Sequence, residues 1–252
     1  MTCPGIAAPQ CGNDSDMTEI SRSGERRTQD QPKGWYSRGY IPHFDTAHVI
    51  QHITYRLADS LPQSVLEQMQ AELKVKVQNK DAQQTELRRR IETYLDAGHG
   101  SCVLREPEIA ACVVDTWHRF DGERYRLLEW VVMPNHCHVL IEPFEGMPLG
   151  KIVLSWKNYT ARWINQRMGH AGEMRSEEES RTGVQRSQEE GRIPVRRTQI
   201  WQREYWDRFI RNESHLAVVR NYITMNPVNA GLVTKPEDWW WSSAKDRATD
   251  NE

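Results

Sequence analysis

The sequence predicts an α+β fold, and three observations carry that prediction. Two alternating apolar runs, residues 125–133 and 136–142, are joined through Pro134-Asn135 and read as a strand hairpin. A β-branched, alternating run at residues 48–57 supplies another strand, ended by Leu61-Pro62. Between and after these runs lie long stretches whose apolar residues recur at helical spacing.

Taken in order, residues 1–33 are rich in Pro, Gly, Ser, Asp, Gln and Arg and have almost no large apolar side chains. They cannot bury enough surface to offset their ordering entropy, so a disordered tail is expected, with order beginning near Trp35. Over residues 63–96, Leu66, Met69, Leu73 and Val77, then Leu87, Ile91 and Leu95, keep helical spacing; this is a helical hairpin or one interrupted helix. Residues 106–120 predict a further helix, with Pro107 in its first turn and Ile109, Ala110, Val113, Val114 and Trp117 along one face. Asp121-Gly122 supplies turn chemistry before the hairpin. Residues 149–168 read as helix, whereas 169–197 are dominated by Glu, Arg, Ser, Gln and Gly without apolar period and predict a mobile insertion. A short strand or turn follows at 201–209, then a helix at 214–225 capped by Ser214 and stopped by Pro227. The expected organisation is one domain over 34–245, with residues 246–252 as a C-terminal tail.

Ten tryptophans against four phenylalanines mean that much of the core must be built from amphipathic rings, which also suit stacking on bases. A formal net charge of -2 gives no global basic footprint, so any nucleic-acid contact has to be local. The best local excess lies at 196–220, where Arg196, Arg197, Arg203, Arg208, Arg211 and Arg220 outnumber Glu204, Asp207 and Glu213. Cys3, Cys11, Cys102, Cys112 and Cys137 form neither a CxxC pair nor an even set, which argues against a zinc knuckle and a disulfide framework. A reducing, cytoplasmic setting is expected, with no signal peptide and no membrane-length apolar run.

The chemistry concentrates in two places. His136 and His138 flank Cys137 on a predicted strand, and side chains alternate faces along a strand, so both imidazoles point one way and Cys137 the other. Such a pair suits a metal, although alternating histidines also occur on partly exposed strands. Tyr222 and Asn226 are four apart, a spacing that stacks them on one helix face. Two imidazoles, a phenol and an amide together suit phosphoryl transfer. Asn226 before Pro227 also has a plainer reading, ending a helix in a left-handed or turn conformation. Glu142 shares parity with the histidines but lies at the strand end, where a solvated carboxylate is the commoner outcome. Tyr159 rivals Tyr222, yet four residues beyond it stands Trp163, which cannot bind a metal; Tyr159 then packs, or contacts phosphate beside Lys157 and Arg162. Trp239, Trp240 and Trp241 read as packing, with an exposed ring available for an unpaired base.

Several motifs in order carry a resemblance: GWYSRGYIPHFD (34–45), RLADSLP (56–62), MPNHCH (133–138), WQREYWDR (201–208), YITMNPVNAGL (222–232) and PEDWWWSSA (236–244). On these the chain resembles the REP-associated tyrosine transposases, a branch of the HUH single-strand nucleases. It departs from the HUH pattern in having the small Cys137 where a bulky hydrophobic residue stands, on the strand face away from the metal. The resemblance implies an antiparallel sheet flanked by helices, a ferredoxin-like or RRM-like layout. It implies a divalent ion, Mg²⁺ or Mn²⁺, held by His136, His138 and Asn226, and Tyr222 as nucleophile. The implied reaction cleaves and rejoins single-stranded or hairpin, REP-like DNA through a covalent 5′-phosphotyrosine, by a monomer or homodimer. Arg38, His43, Lys157, Arg162, Arg203, Arg208 and Arg211 are the expected DNA contacts. The competing classes are a catalytically inactive single-strand or hairpin DNA-binding protein and a metal-dependent hydrolase. Against the hydrolase stands the lack of any carboxylate cluster beside the histidines in the sequence.

Overall fold

The computed structural model describes residues 34–37, 42–180 and 198–249. The expected tail at 1–33, Arg38, residues 181–197 of the expected insertion and residues 250–252 lie outside them. A two-stranded ribbon of β1 (Gly34–Ser37) and β2 (Pro42–Asp45) precedes a four-stranded antiparallel sheet of β3 (Gln51–Arg56), β4 (Tyr125–Val132), β5 (His136–Pro143) and β6 (Trp206–Phe209). The order across this sheet is β4-β5-β3-β6. The helices are α1 (Gln63–Lys76), α2 (Lys80–Asp96), α3 (Pro107–His118), α4 (Leu149–Ser180), α5 (Glu213–Asn229) and α6 (Ser243–Thr249).

With α3 and α4 as the crossover helices, the four sheet strands form a βαββαβ unit whose last strand pairs with its first, the ferredoxin-like arrangement. The expected antiparallel sheet flanked by helices is borne out. Added to it are the β1–β2 ribbon before β3, the α1–α2 hairpin between β3 and α3, and α5 and α6 after β6.

Strand alternation divides the sheet into two faces. Ile53, Tyr55, Trp130, Val132, Cys137, Val139 and Ile141 pack against Val113 and Trp117 of α3 and Val153 and Trp156 of α4. This core resolves the tryptophan-rich composition, because its rings hydrogen-bond one another. Trp117 Nε1 donates to the Tyr55 hydroxyl at 3.0 Å, Trp156 Nε1 donates to the Tyr125 hydroxyl at 3.0 Å, and that hydroxyl donates to the Trp117 carbonyl at 2.6 Å. On the opposite face, Val131, Met133 and Leu140 meet Val219 and Ile223 of α5.

Residues 63–96 form the helical hairpin, and Asn79 starts its second helix by accepting from the amides of Asp81 and Ala82 at 2.8 and 3.1 Å. Three local expectations need correction. The helix expected to end at 168 continues to Ser180, so no break occurs at 169. The cap of α5 is Asn212, which accepts from the amide of His215 at 2.8 Å, and not Ser214. Pro227 does not stop α5: it sits inside the last turn, where its missing amide forfeits one hydrogen bond, and Asn226 before it is helical. The helix ends instead at Gly231 (φ 69°), where Gly231 N donates to Val228 O and Leu232 N to Pro227 O, both at 2.9 Å, a Schellman closure. Among the described residues no helix is long and apolar enough to cross a membrane.

Candidate active site

The site lies between the α5 face of the sheet and α2. Antiparallel pairing sets Thr54 opposite His138 and Arg56 opposite His136, so β3 and β5 present these four side chains to one side. Cys137, between the histidines, is buried in the opposite core. Ile223 and Val219 anchor α5 on Leu140, which leaves Tyr222 and Asn226, one turn apart, over His138.

Each imidazole is held by its Nδ1. Asn135 donates its amide to the carbonyls of Leu95 and His99, at 3.0 and 2.8 Å, which turns its oxygen toward His136. His136 Nδ1 therefore donates to Asn135 Oδ1 at 2.7 Å, and Nε2 keeps its lone pair. His138 Nδ1 lies 2.9 Å from the Thr54 hydroxyl and 3.3 Å from His52 Nε2. Its Nε2 faces the Tyr222 hydroxyl and the Asn226 amide nitrogen, each at 3.5 Å. The two imidazole rings stand 4.9 Å apart and nearly perpendicular.

Burial, with the Arg56 charge second, lowers the His136 pKa to about 3, and burial takes His138 well below its ordinary value. Both imidazoles are neutral and free to ligate. Burial raises the Tyr222 phenol, and the carboxylates of Glu92 and Asp96 raise it further, so the hydroxyl is protonated at neutral pH. At the site, Asn226 Oδ1 and Asp96 Oδ1 are buried acceptors with no hydrogen-bond partner. Among the described residues, no three His, Cys, Asp or Glu side chains are gathered round one point as a metal cluster. The donor set is instead two imidazoles with the Asn226 amide, and an orphaned buried amide oxygen beside paired neutral imidazoles fits a divalent ion.

Four expected site residues, Tyr222, Asn226, His136 and His138, are thus brought together. Arg208 lies with His52, Arg88, Glu92 and Trp206 around a cleft of about 450 Å³ that opens beside Tyr222. Arg203 and Arg211 are exposed, the latter 5.8 Å from the Phe209 ring.

Two expected DNA contacts are corrected. His43 is buried, its Nδ1 hydrogen-bonded to Asp207 and its ring 4.6 Å from Tyr205. Lys157 is buried and donates to the carbonyls of Gln202 and Arg203 at 2.6 and 2.8 Å, pinning α4 to the segment before β6. Both are internal ties. Tyr159 and Arg162 belong to α4, across the sheet from the histidines, where the exposed Arg162 donates to Asn158 O at 3.3 Å.

Sequence reasoning also missed residues. His52 and Thr54 have the right parity on β3, but only the pairing register sets them beside His138. From α2, Asp96 comes within 3.7 Å of His136 and Glu92 lines the cleft with His52 and Tyr222, a single carboxylate beside the paired histidines and not a cluster. Their spacing with Arg88, every fourth residue, was legible as one helix stripe; its target was not.

Residues 117–180 match the family model described as Transposase IS200 like. That segment contains the histidine hairpin and stops short of Tyr222. A REP-associated tyrosine transposase of Escherichia coli K12 is 25% identical over 121 residues, 47% of this chain and 54% of its own. A Haemophilus influenzae protein named for the same class is 46% identical over 44 residues, 18% of this chain and 25% of its own. The chain resembles the REP-associated tyrosine transposases. It spans about half or less of the length of these curated relatives. A solved structure of a REP-associated tyrosine transposase bound to a REP hairpin aligns over 80% of this chain and 79% of that chain, at 15% identity and TM-score 0.44. The ferredoxin-like assignment rests on the strand order itself.

Proposed function

We propose that this chain cleaves and rejoins single-stranded or hairpin DNA in a divalent-metal-dependent reaction, with Tyr222 as nucleophile and residues 34–245 as one catalytic domain. The observation that carries the reading is the Tyr222 hydroxyl 3.5 Å from His138 Nε2, with Asn226 one turn along α5 at the same distance. His136, His138 and Asn226 would hold the ion, Mg²⁺ or Mn²⁺. Bound there, it would withdraw charge from the scissile phosphate.

The chain's own residues do the remainder. A phenol with an ordinary pKa of about 10 is a poor nucleophile, so alignment matters more than basicity. Tyr222 Oη forms a bond to phosphorus as the bond to the 3′ oxygen breaks; the phenol proton is lost and the departing oxygen gains one. The product is a 5′-phosphotyrosine with a free 3′ hydroxyl on the other fragment. The stored phosphodiester is open to a second 3′ hydroxyl, so rejoining needs no nucleotide cofactor. Arg88 and Arg208 line the cleft beside Tyr222 and suit backbone phosphates, and Trp206 offers a ring to a splayed base. The names of the relatives point to REP-like palindromes as substrate.

The test is a labelled single-stranded hairpin incubated with the full chain. Label is expected to remain covalently on the protein, to disappear in Tyr222→Phe, and to persist in Tyr159→Phe. EDTA should abolish the adduct and Mn²⁺ restore it. Loss of adduct in Tyr159→Phe alone would move the nucleophile to α4. Cleavage without adduct would favour the hydrolase, and binding without cleavage the inactive module.

A further inference from the structure

The α1–α2 hairpin lies outside the βαββαβ unit, yet the end of α2 is built into the site. Asp96 is its last residue, and its carboxylate lies 3.7 Å from His136 Nε2. Asn135 sets this approach from both sides, since one amide group holds the carbonyls of Leu95 and His99 and orients the His136 ring. His136 donates through Nδ1, so what faces Asp96 is a lone pair. Asp96 Oδ1 is buried and accepts no hydrogen bond. Two acceptors aimed at each other across 3.7 Å, with no proton between them in hydrogen-bond range, form half of a cation site.

We propose that Asp96 is a further ligand of the divalent ion, so that the α1–α2 hairpin contributes directly to the metal centre. This rests on the function proposed above. Two imidazoles and an amide carry no net charge and only one oxygen donor, a nitrogen-rich set for an ion that prefers oxygen. A carboxylate supplies both the charge and the second oxygen. Two donors of one small divalent ion stand about 3–4 Å apart, which brackets the separation found. Among the described residues Asp96, His136 and His138 are not gathered at one point, so joint ligation requires the Asp96 side chain to move inward. The side chain has room to move, being about 25% exposed where His136 is about 1% exposed. Glu92, one turn earlier, lines the cleft with Tyr222 and is not a member of the set.

The readout is Mn²⁺ affinity of the full chain without DNA, from the free-ion electron paramagnetic resonance signal. Asp96→Asn and Asp96→Ala are expected to weaken binding at least about tenfold, while circular dichroism shows both folded. Equal affinity within twofold in both variants would overturn the proposal and leave the histidine site intact. No Mn²⁺ binding by the unaltered chain would remove the metal centre itself, and this inference with it. Should neither variant fold, crystals of the unaltered chain soaked in Mn²⁺ decide. An anomalous peak within about 2.3 Å of both His136 Nε2 and an Asp96 oxygen supports the proposal, and a peak on the histidines alone sinks it.

Discussion

The two faces of the central sheet are made by the same strands and are built to opposite rules. On β5, Cys137, Val139 and Ile141 enter a dry core of hydrogen-bonded rings in which Trp117, Trp156, Tyr55 and Tyr125 satisfy one another's polar atoms. The alternate residues His136 and His138 meet α5 and α2, where Asn226 Oδ1 and Asp96 Oδ1 are left without partners. Each unmade hydrogen bond to a buried polar atom costs about 1–3 kcal/mol. The difference teaches that the α3–α4 face supplies the stability that lets the α5 face keep groups poised for a ligand. Mutations on the two faces should therefore separate, one side losing activity and the other losing stability.

The largest separation is expected from the site face. A His136→Ala/His138→Ala double variant should lose adduct formation by at least about 1,000-fold, roughly 4 kcal/mol of barrier, with a smaller loss of stability than a truncation in the opposite core. Adduct yield and thermal melting of one preparation check both halves; full activity would break the site assignment. The opposite pattern is expected for Trp117→Ala. Its ring is fully buried and donates to Tyr55, so the loss should be about 3–5 kcal/mol of unfolding free energy. Adduct yield per folded molecule should be preserved, as measured at low temperature against a denaturant-derived folded fraction.

Asn135→Ala sharpens the comparison because Asn135 serves the site from a structural position. Its side chain joins α2 to the hairpin through two carbonyls and to His136 through its oxygen. Truncation should cost about 2–3 kcal/mol in denaturant unfolding and also weaken Mn²⁺ binding. A change in stability alone would make Asn135 a strut and nothing more.

How much of this was legible follows from distance along the chain. His136 with His138, and Tyr222 with Asn226, are local pairs whose periodicity alone points each pair one way. The hairpin and the helices were readable for the same reason. Thr54 lies 84 residues from His138, and Asn135 lies 40 from Leu95, and nothing local announces such partners. His43 and Lys157 were misread from the same cause. A histidine beside a proline and a lysine on a helix look like surface groups until Asp207 and two carbonyls of the chain before β6 close over them. Pro227 misled because a proline in the final turn removes a single hydrogen bond, too little to end a helix that Gly231 closes beyond it.

Lys157 supplies the smallest prediction and the one with the most distinctive sign. It is a charge on the dry face, and burial lowers its pKa from 10.5 to about 8 even though Glu204 opposes the change. Because the folded value lies below the unfolded one, the unfolded chain binds more protons between pH 8 and 10.5. Stability contributed by this group is therefore least below pH 8 and rises with pH through that window. The slope is bounded by one proton, at most about 1.4 kcal/mol per pH unit. Lys157→Met removes the titrating group, so the difference in unfolding free energy between wild type and variant should grow in favour of wild type from pH 8 to pH 10. Urea unfolding at half-unit intervals measures it. A difference independent of pH would mean that the ammonium, held by the carbonyls of Gln202 and Arg203, stays as basic as it is in water, and the face would be wetter at α4 than its packing indicates.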